Sequence, residues 1–504
     1  MRRTTMKIFD YFRNPRGKKE SAAARKYRER SEAGRNIMTV TCFFGVLFLG
    51  LIGYYGYFLQ VTSQEIIGSS YNARLDAFAD RVTRGEIKSI DGQVLAETKT
   101  VNGTDTRYYP YEYLYTHSVG YSGKNGRTGL ESLGNFYLLS SHVNLMERAF
   151  NELSGKKNPG DTLVTTMDSR LQNVASDALG KYRGAVIAME PDTGRILTMV
   201  SQPNFNANEV DARWSELTAD SNRAVLVNRA TQGLYPPGST FKILTLLEYI
   251  REHPNDWQNF TFDCNGSYTS NGYTLKCYHG EKHGHQTLLQ AFANSCNGAF
   301  ASIGEKLDTG RFRELAETCG FNGSIPYELT YSRNTFALAG DSGVWEKAQT
   351  AIGQGKTQMT PLLNLMVTAA IANGGTMMKP YLADHVETAT GQTVKEFLPA
   401  SAGSIMSAAE AEALTTYMRS VVTDGTGSAF RGAPYQAAGK TGSAETGVGD
   451  NSHAWFVGFA PVDDPKIAVC VIAEDGGSGG SVAAPIARKV MDEYFKDYPV
   501  TGKK

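Results

Sequence analysis

Ser239 and Lys242 stand three residues apart in YPPGSTFKILTLL, residues 235–247. Pro236, Pro237 and Gly238 interrupt the chain, and the apolar run behind them predicts a helix that begins at Ser239. A spacing of three puts hydroxyl and amine on one face, a turn apart. At a helix N-terminus the serine lies where free N–H groups and the dipole favour negative charge. Ile243, Leu244, Leu246 and Leu247 would bury the lysine. Desolvation lowers the pKa of a buried amine, and a neutral amine can take the proton of a serine hydroxyl. Alone, the pair is also satisfied by a snorkelling lysine beside a capping serine, and Ser154 and Lys157 repeat it in a polar stretch.

Two further groups follow in order. Ser295-Cys296-Asn297 lies in LLQAFANSCNGAF, although Ser70-Tyr71-Asn72 and Ser332-Arg333-Asn334 share its SxN form. Lys440-Thr441-Gly442 occurs once, inside YQAAGKTGSAE, which reads as a strand. SxxK at a helix start, then SxN in a helical block, then KTG on a strand is the set used by penicillin-recognising serine acyltransferases. The order and the element of each member carry more weight than any single match.

The elements around these residues outline an α+β fold. RGAVIAMEPDTGRILTMVSQP is a pair of apolar runs joined at Pro191-Asp192-Thr193-Gly194, a hairpin signal. A mainly helical stretch is expected from Ser239 to about Met418. Strand texture returns in YQAAGKTGSAE and AWFVGFAPVDDPKIAVCVIAED, and a last helix, AAPIARKVMDEYF, follows GGSGGS. The large domain is therefore read as one sheet laid down in two instalments around a helical block. Residues 72–137, dense in Gly, Pro and Asn and without a helical period, predict a β-rich domain ahead of it.

The net charge of zero hides an asymmetry, with +8 on residues 1–36 and −8 on the remainder. Ile37 to Leu59 is 23 residues without a charge. That is enough to cross a hydrocarbon core of about 30 Å. Lys and Arg lie immediately before it, which predicts a cytoplasmic N-terminus, and Tyr54, Tyr55 and Tyr57 mark the far interface. The run exceeds a signal-peptide core and lacks a cleavage site, so an uncleaved anchor is expected. Everything from Gln60 onward is then extracytoplasmic, and the basic tail does not imply nucleic acid.

With RGEIKSIDGQVLAE, GRTGLE, TLVTTMDSRLQ, NRATQGLYPPGSTFK, AIGQGKTQMTPL, ANGGTMMKPYL and HAWFVGFAP, the chain resembles the class B penicillin-binding proteins. These are membrane-anchored peptidoglycan D,D-transpeptidases of the bacterial cell membrane, and the likeness spans nearly everything after the anchor. It implies a basic tail (1–36), an anchor (37–60), an N-terminal pedestal (61–158) and a transpeptidase domain (159–504). The last would have the serine β-lactamase-like fold, an antiparallel five-stranded sheet with an inserted helical subdomain, and no cofactor or metal. The resemblance makes Ser239 the nucleophile, Lys242 its base and Ser295 a proton relay to the leaving D-alanine. Asn297 would hold a peptide amide, and Lys440 and Thr441, with Gly442 and Ser443, the terminal carboxylate. Ser443 stands where the family more often has threonine. The N–H groups of Ser239 and Ser443 would form the oxyanion hole. Expected partners are stem peptides ending in D-Ala-D-Ala, β-lactams and a SEDS-type glycosyltransferase, since the roughly 100 residues after the anchor are too few for a glycosyltransferase domain. Gly50, Gly53 and Gly56 would offer that partner a close-packing face. A D,D-carboxypeptidase and a β-lactam sensor or scaffold are the alternatives. A β-lactamase is disfavoured because no segment supplies a class A-type deacylating glutamate.

Cys264 and Cys277 flank CNGSYTSNGYTLKC, read as an outward loop, and are expected as a disulfide. Free thiols come next. Zinc is the third option, given His279, His283 and His285, although the spacing matches no common structural zinc pattern.

Overall fold

Ala22–Tyr57 forms one helix, α1, in which the basic segment runs without a break into the charge-free stretch. The computed structural model describes residues 21–59, 80–220, 222–445 and 451–497, so the Ser70–Asn72 pair lies outside the described residues. Residues 37–57 of α1 are exposed throughout, and the helix is long and apolar enough to cross a membrane. Gly50, Gly53 and Gly56 have nothing within 4 Å of where a side chain would start.

A second unit spans residues 68–504. Its chain lays down β1 (Ile87–Lys88), β2 (Val94–Val101), β3 (Thr104–Tyr108) and β4 (Thr162–Thr165). Helix α2 (Ser169–Leu179) and the hairpin β5 (Gly184–Met189) and β6 (Ile196–Gln202) follow. Then come α3 (Lys242–Glu252), α4 (Asn297–Gly304) and α5 (Pro361–Ala372). β7 (Ala383–Glu387) and β8 (Thr393–Glu396) return to the first strands, giving a six-stranded sheet of order β8-β7-β4-β1-β2-β3. β9 (Ala438–Glu445), β10 (Ser452–Ala460) and β11 (Ile467–Ala473) join the hairpin. That five-stranded sheet has the order β6-β5-β11-β10-β9, with every neighbour antiparallel, and α6 (Ala484–Asp497) closes the fold.

The inner strands β5 and β11 are apolar at nearly every position because both faces are covered. Ala185, Ile187 and Met189 of β5 share a core with Leu362, Leu365 and Met366 of α5. Val186 and Ala188 share the opposite core with Leu171 of α2 and Val490 and Met491 of α6. The side-chain period of two divides one strand between two cores.

The structure departs from the sequence reading inside the helical block. Within the stretch expected to be mainly helical, 261–264 pairs with 284–287 and 267–270 with 273–276, both antiparallel. Asn271-Gly272, with φ of 48° and 81°, turns the second pair, as an Asn-Gly hairpin requires. The six-stranded sheet crosses the 158/159 position, because β4, β7 and β8 come from beyond it.

Glu131 ties the N-terminal segment together from a fully buried position. Arg84 reaches its Oε2 at 2.6 Å, Arg107 its Oε1 at 2.6 Å, and the Tyr109 hydroxyl donates to Oε1 at 3.2 Å. Burial pushes the carboxyl up, but Arg107 and Arg84 outweigh it and hold Glu131 below the usual range. Its contribution is therefore present above the ordinary carboxylate pKa and lost as pH falls. Removing one member of such a group strands the others, so Glu131→Ala should lower stability by about 3–5 kcal/mol in urea unfolding. A change under 1 kcal/mol would show that the two arginines find other partners.

Candidate active site

Ser239 sits in a one-turn 3-10 segment, Gly238–Phe241, that runs directly into α3. Gly238 is in the left-handed region (φ 54°) and donates its N–H to Gly353 O at 2.8 Å, leaving the next N–H groups without intrahelical partners. A Cβ on Gly238 would lie 3.0 Å from Ala444 Cβ, and one on Gly442 3.1 Å from Trp455 Cβ and 3.2 Å from Thr240 Cγ2. These two glycines let β9, the edge strand of the sheet, press against the Ser239 turn. Trp455 completes the joint by donating its indole N–H to Pro236 O at 3.1 Å.

Lys242 is fully buried in the first turn of α3. Its amine donates to Ser295 O and Asn297 Oδ1, both at 2.7 Å, and lies 3.3 Å from Ser295 Oγ. From the other side Lys440 of β9, also fully buried, donates to Ser295 Oγ at 2.9 Å and to Thr441 O at 3.1 Å. Two amines thus meet at one hydroxyl. Burial lowers Lys242 to about 8, against an opposing pull from Cys296 and Cys277. Burial and then the neighbouring Lys242 push Lys440 well below its ordinary value. Ser295 is held in the left-handed region (φ 56°), a conformation that costs a non-glycine residue of order 1–3 kcal/mol. Its carbonyl bond to Lys242 and its N–H bond to Phe292 O are what hold it there.

Ser239 is half-buried and lines a cleft of about 880 Å³ together with Ser295, Asn297, Thr441, Gly442 and Ser443. Among the described residues its hydroxyl makes no hydrogen bond, and Lys242 points at the SxN turn rather than at Ser239 Oγ. Catalytic hydrogen bonds are often loose before substrate binds, so this geometry leaves Lys242 available to the serine. Lys440 does not line the cleft; its amine meets Ser295 Oγ, while Thr441 and Ser443 line it. Thr426 was not evident from the sequence, yet its hydroxyl bonds that of Thr441 and it lines the cleft. Only the adjacency of loop 424–428 to β9 could have identified it. The remaining look-alike pairs are structural. Lys157 pairs with Asp105, Ser332 donates to Gln232 O, and Asn334 accepts from Thr360 N–H.

The expected disulfide is absent. Cys264 and Cys277 are buried thiols with their sulfurs 3.6 Å apart, too far for a bond. Two further groups, His283 and Cys296, complete a cluster whose ligand atoms all lie within 4.8 Å of one another. His279 and His285 are not in it.

Residues 184–492 match the family model described as the penicillin binding protein transpeptidase domain, and residues 84–163 the penicillin binding protein A dimerisation domain. The chain is 33% identical over 450 residues to peptidoglycan D,D-transpeptidase PbpA of Mycolicibacterium smegmatis, covering 82% of this chain and 89% of that one. It is 30% identical over 453 residues to stage V sporulation protein D of Bacillus subtilis, covering 83% and 68%. Among solved structures, the D,D-transpeptidase domain of a peptidoglycan glycosyltransferase from Eggerthella lenta superimposes with a TM-score of 0.75 at 32% identity, covering 83% of this chain and 100% of that one. Penicillin-binding protein A of M. tuberculosis, as a ceftriaxone acyl-enzyme, gives 0.74 at 30% identity, covering 83% and 99%.

If the neutral Lys242 amine activates Ser239, the second-order rate of acylation by benzylpenicillin should rise about tenfold per pH unit below about 8 and level off above it. The titratable groups facing this amine are Lys440 on β9 and the thiols of Cys296 and Cys277. Stopped-flow acylation from pH 6 to 10 measures the profile. A rate flat across this range would remove Lys242 as the titrating base.

Proposed function

Because the chain belongs to the penicillin-binding protein transpeptidase family, we propose that it is a class B peptidoglycan D,D-transpeptidase with Ser239 as its acylated residue. The observation that carries the assignment is the meeting of two buried amines, Lys242 and Lys440, at Ser295 Oγ beside the cleft that holds Ser239. The fold is read as the serine β-lactamase-like one, with the N-terminal segment as a pedestal.

The carboxylate of a D-Ala-D-Ala stem is held by the hydroxyls of Thr441 and Ser443, with Lys440 behind them as the balancing charge. A carboxylate arriving there favours the charged form of Lys440. Asn297 holds a peptide amide of the donor. Ser239 Oγ attacks the penultimate carbonyl as its proton passes to Lys242. The N–H groups of Ser239 and Ser443 stabilise the resulting oxyanion. The C–N bond then breaks, and the proton returns through Ser295 to the departing D-alanine amine. An acceptor amine attacks the acyl-serine, a new amide forms, and Ser239 regains its hydrogen. A β-lactam opens on the same serine and stays, because the cleft carboxylates Glu281 and Glu445 are exposed side chains rather than a buried water-activating group.

α1 is read as a single-pass anchor with its basic end cytoplasmic and the catalytic unit outside. It would also carry the contact to a SEDS-type glycosyltransferase through Gly50, Gly53 and Gly56.

Intact-protein mass spectrometry of the full chain in detergent should show one penicillin adduct, absent in Ser239→Ala. Lys242→Arg should slow acylation by about 10²–10⁴-fold, since arginine keeps the charge but cannot act as a base. An adduct retained in Ser239→Ala would place the nucleophile elsewhere. Replacing Gly50, Gly53 and Gly56 with leucine should abolish co-purification with the polymerase while leaving acylation intact. Unchanged co-purification would move the contact to residues 61–158.

A further inference from the structure

Cys264 ends one strand of the 261–264/284–287 pair, and His283 immediately precedes the other. Cys277 follows the strand 273–276, and Cys296 is the N-cap residue of α4. Four chain positions separated by 12, 5 and 12 residues therefore converge. All three thiols are buried, at 1%, 3% and 0% exposure, and the His283 ring is 7% exposed. Such a set has no water to bond and, as thiols, only weak partners in one another.

The distances have a specific meaning. Ligands on a tetrahedral zinc, with Zn–S of about 2.3 Å and Zn–N of about 2.0–2.1 Å, are separated by roughly 3.8 Å between sulfurs and 3.5 Å between sulfur and nitrogen. The observed edges are 3.6 Å for Cys264–Cys277, 3.9 Å for Cys277–Cys296 and 3.3 Å from Cys264 Sγ to His283 Nδ1. The surroundings suit thiolates. Cys296 is the N-cap residue of α4, where the free N–H groups and the helix dipole favour negative charge. The second ring nitrogen of His283 lies 3.8 Å from a carboxylate oxygen of Glu281, an exposed side chain beyond hydrogen-bond distance.

We infer that Cys264, Cys277, His283 and Cys296 form a closed, tetrahedral zinc site whose role is to position the SxN turn. Three thiolates and an imidazole, all buried, are the donor set of structural zinc rather than of a hard cation. Cys296 lies between Ser295 and Asn297, so the metal grips the turn from behind while its neighbours face the cleft. The left-handed Ser295 is thereby fixed between its two lysines. Asn297 Nδ2 donates to Lys276 O at 3.0 Å, which joins the turn to the hairpin carrying Cys277. Tyr278, Glu281 and His283, in the connection that follows that hairpin, line the cleft, so the same ion fixes one wall of the substrate site.

The test uses the full chain purified in detergent under reducing conditions. Elemental mass spectrometry should find one zinc per chain, lost in Cys264→Ser and His283→Ala and kept in Cys470→Ala, whose thiol is buried in β11. Replacement by Co(II) should give a near-ultraviolet thiolate-to-cobalt charge-transfer band. Chelation of the unmutated protein should lower its melting temperature and penicillin labelling together, and Zn²⁺ but not Mg²⁺ should restore both. Metal content and the cobalt band are read without substrate, so they stand or fall apart from the transpeptidase assignment. Unmutated protein with neither zinc nor a cobalt band, or with Cys264 and Cys277 bonded in a peptide map, overturns the site, even if the cysteine variants fail to fold. Zinc removal that leaves acylation unchanged overturns the link to Ser295.

Discussion

Two lysine amines are taken wholly out of water and aimed at a single serine hydroxyl. Everything else in the catalytic unit follows from making that burial tolerable. A charged ammonium in such a place is expensive, so burial lowers both amines, Lys242 to about 8, and brings the neutral form within reach. The partners that remain are Ser295 O, Ser295 Oγ and Asn297 Oδ1 for one amine, and Ser295 Oγ and Thr441 O for the other. Ser295 serves both, which accounts for its unfavourable backbone: no relaxed turn would point both its carbonyl and its hydroxyl inward.

Holding three separate chain segments at hydrogen-bond distance requires rigid carriers. α3 is clamped by the core it shares with α4 and α5, and β9 by pairing along its whole length with β10. The contact between them is made possible by what is missing at Gly238 and Gly442, where any side chain would push the strand off the turn. Behind it, the Tyr235 hydroxyl and Arg229 both bond Glu474, and the Tyr235 ring packs edge-on against Trp455. Among the described residues β9 pairs on one side only, and its Thr441, Gly442 and Ser443 line the cleft.

The SxN turn is the least regular of the three carriers, and it is the one that the hairpins at 261–287 embrace. Those hairpins interrupt the helical block with polar, turn-rich sequence that contributes little to the main core. Cys264, Cys277, His283 and Cys296 account for their presence, because a metal can stabilise a small excursion that has too little apolar surface to hold itself. At the other end of the unit, the six-stranded sheet draws on both sides of residue 158. The N-terminal segment is thereby built into the catalytic unit by backbone hydrogen bonds.

The sequence by itself determined the ordered triplet SxxK, SxN and KTG, the apolar anchor, and the two hairpins whose apolar runs flank Pro/Asp turns. These features are local: spacing of three, period two, a charge-free run and turn chemistry act within about twenty residues. Tertiary structure decided what depends on distant segments meeting. Lys440 faces Ser295 and not the cleft, Thr426 bonds Thr441, and Glu131 gathers Arg84 and Arg107. Cys264 and Cys277 were visible as a pair in the chain, and in a segment expected outside the cytoplasm such a pair reads as a disulfide. Only the fold brings His283 and Cys296 beside them, because α4 and the second hairpin meet through packing that no local pattern encodes.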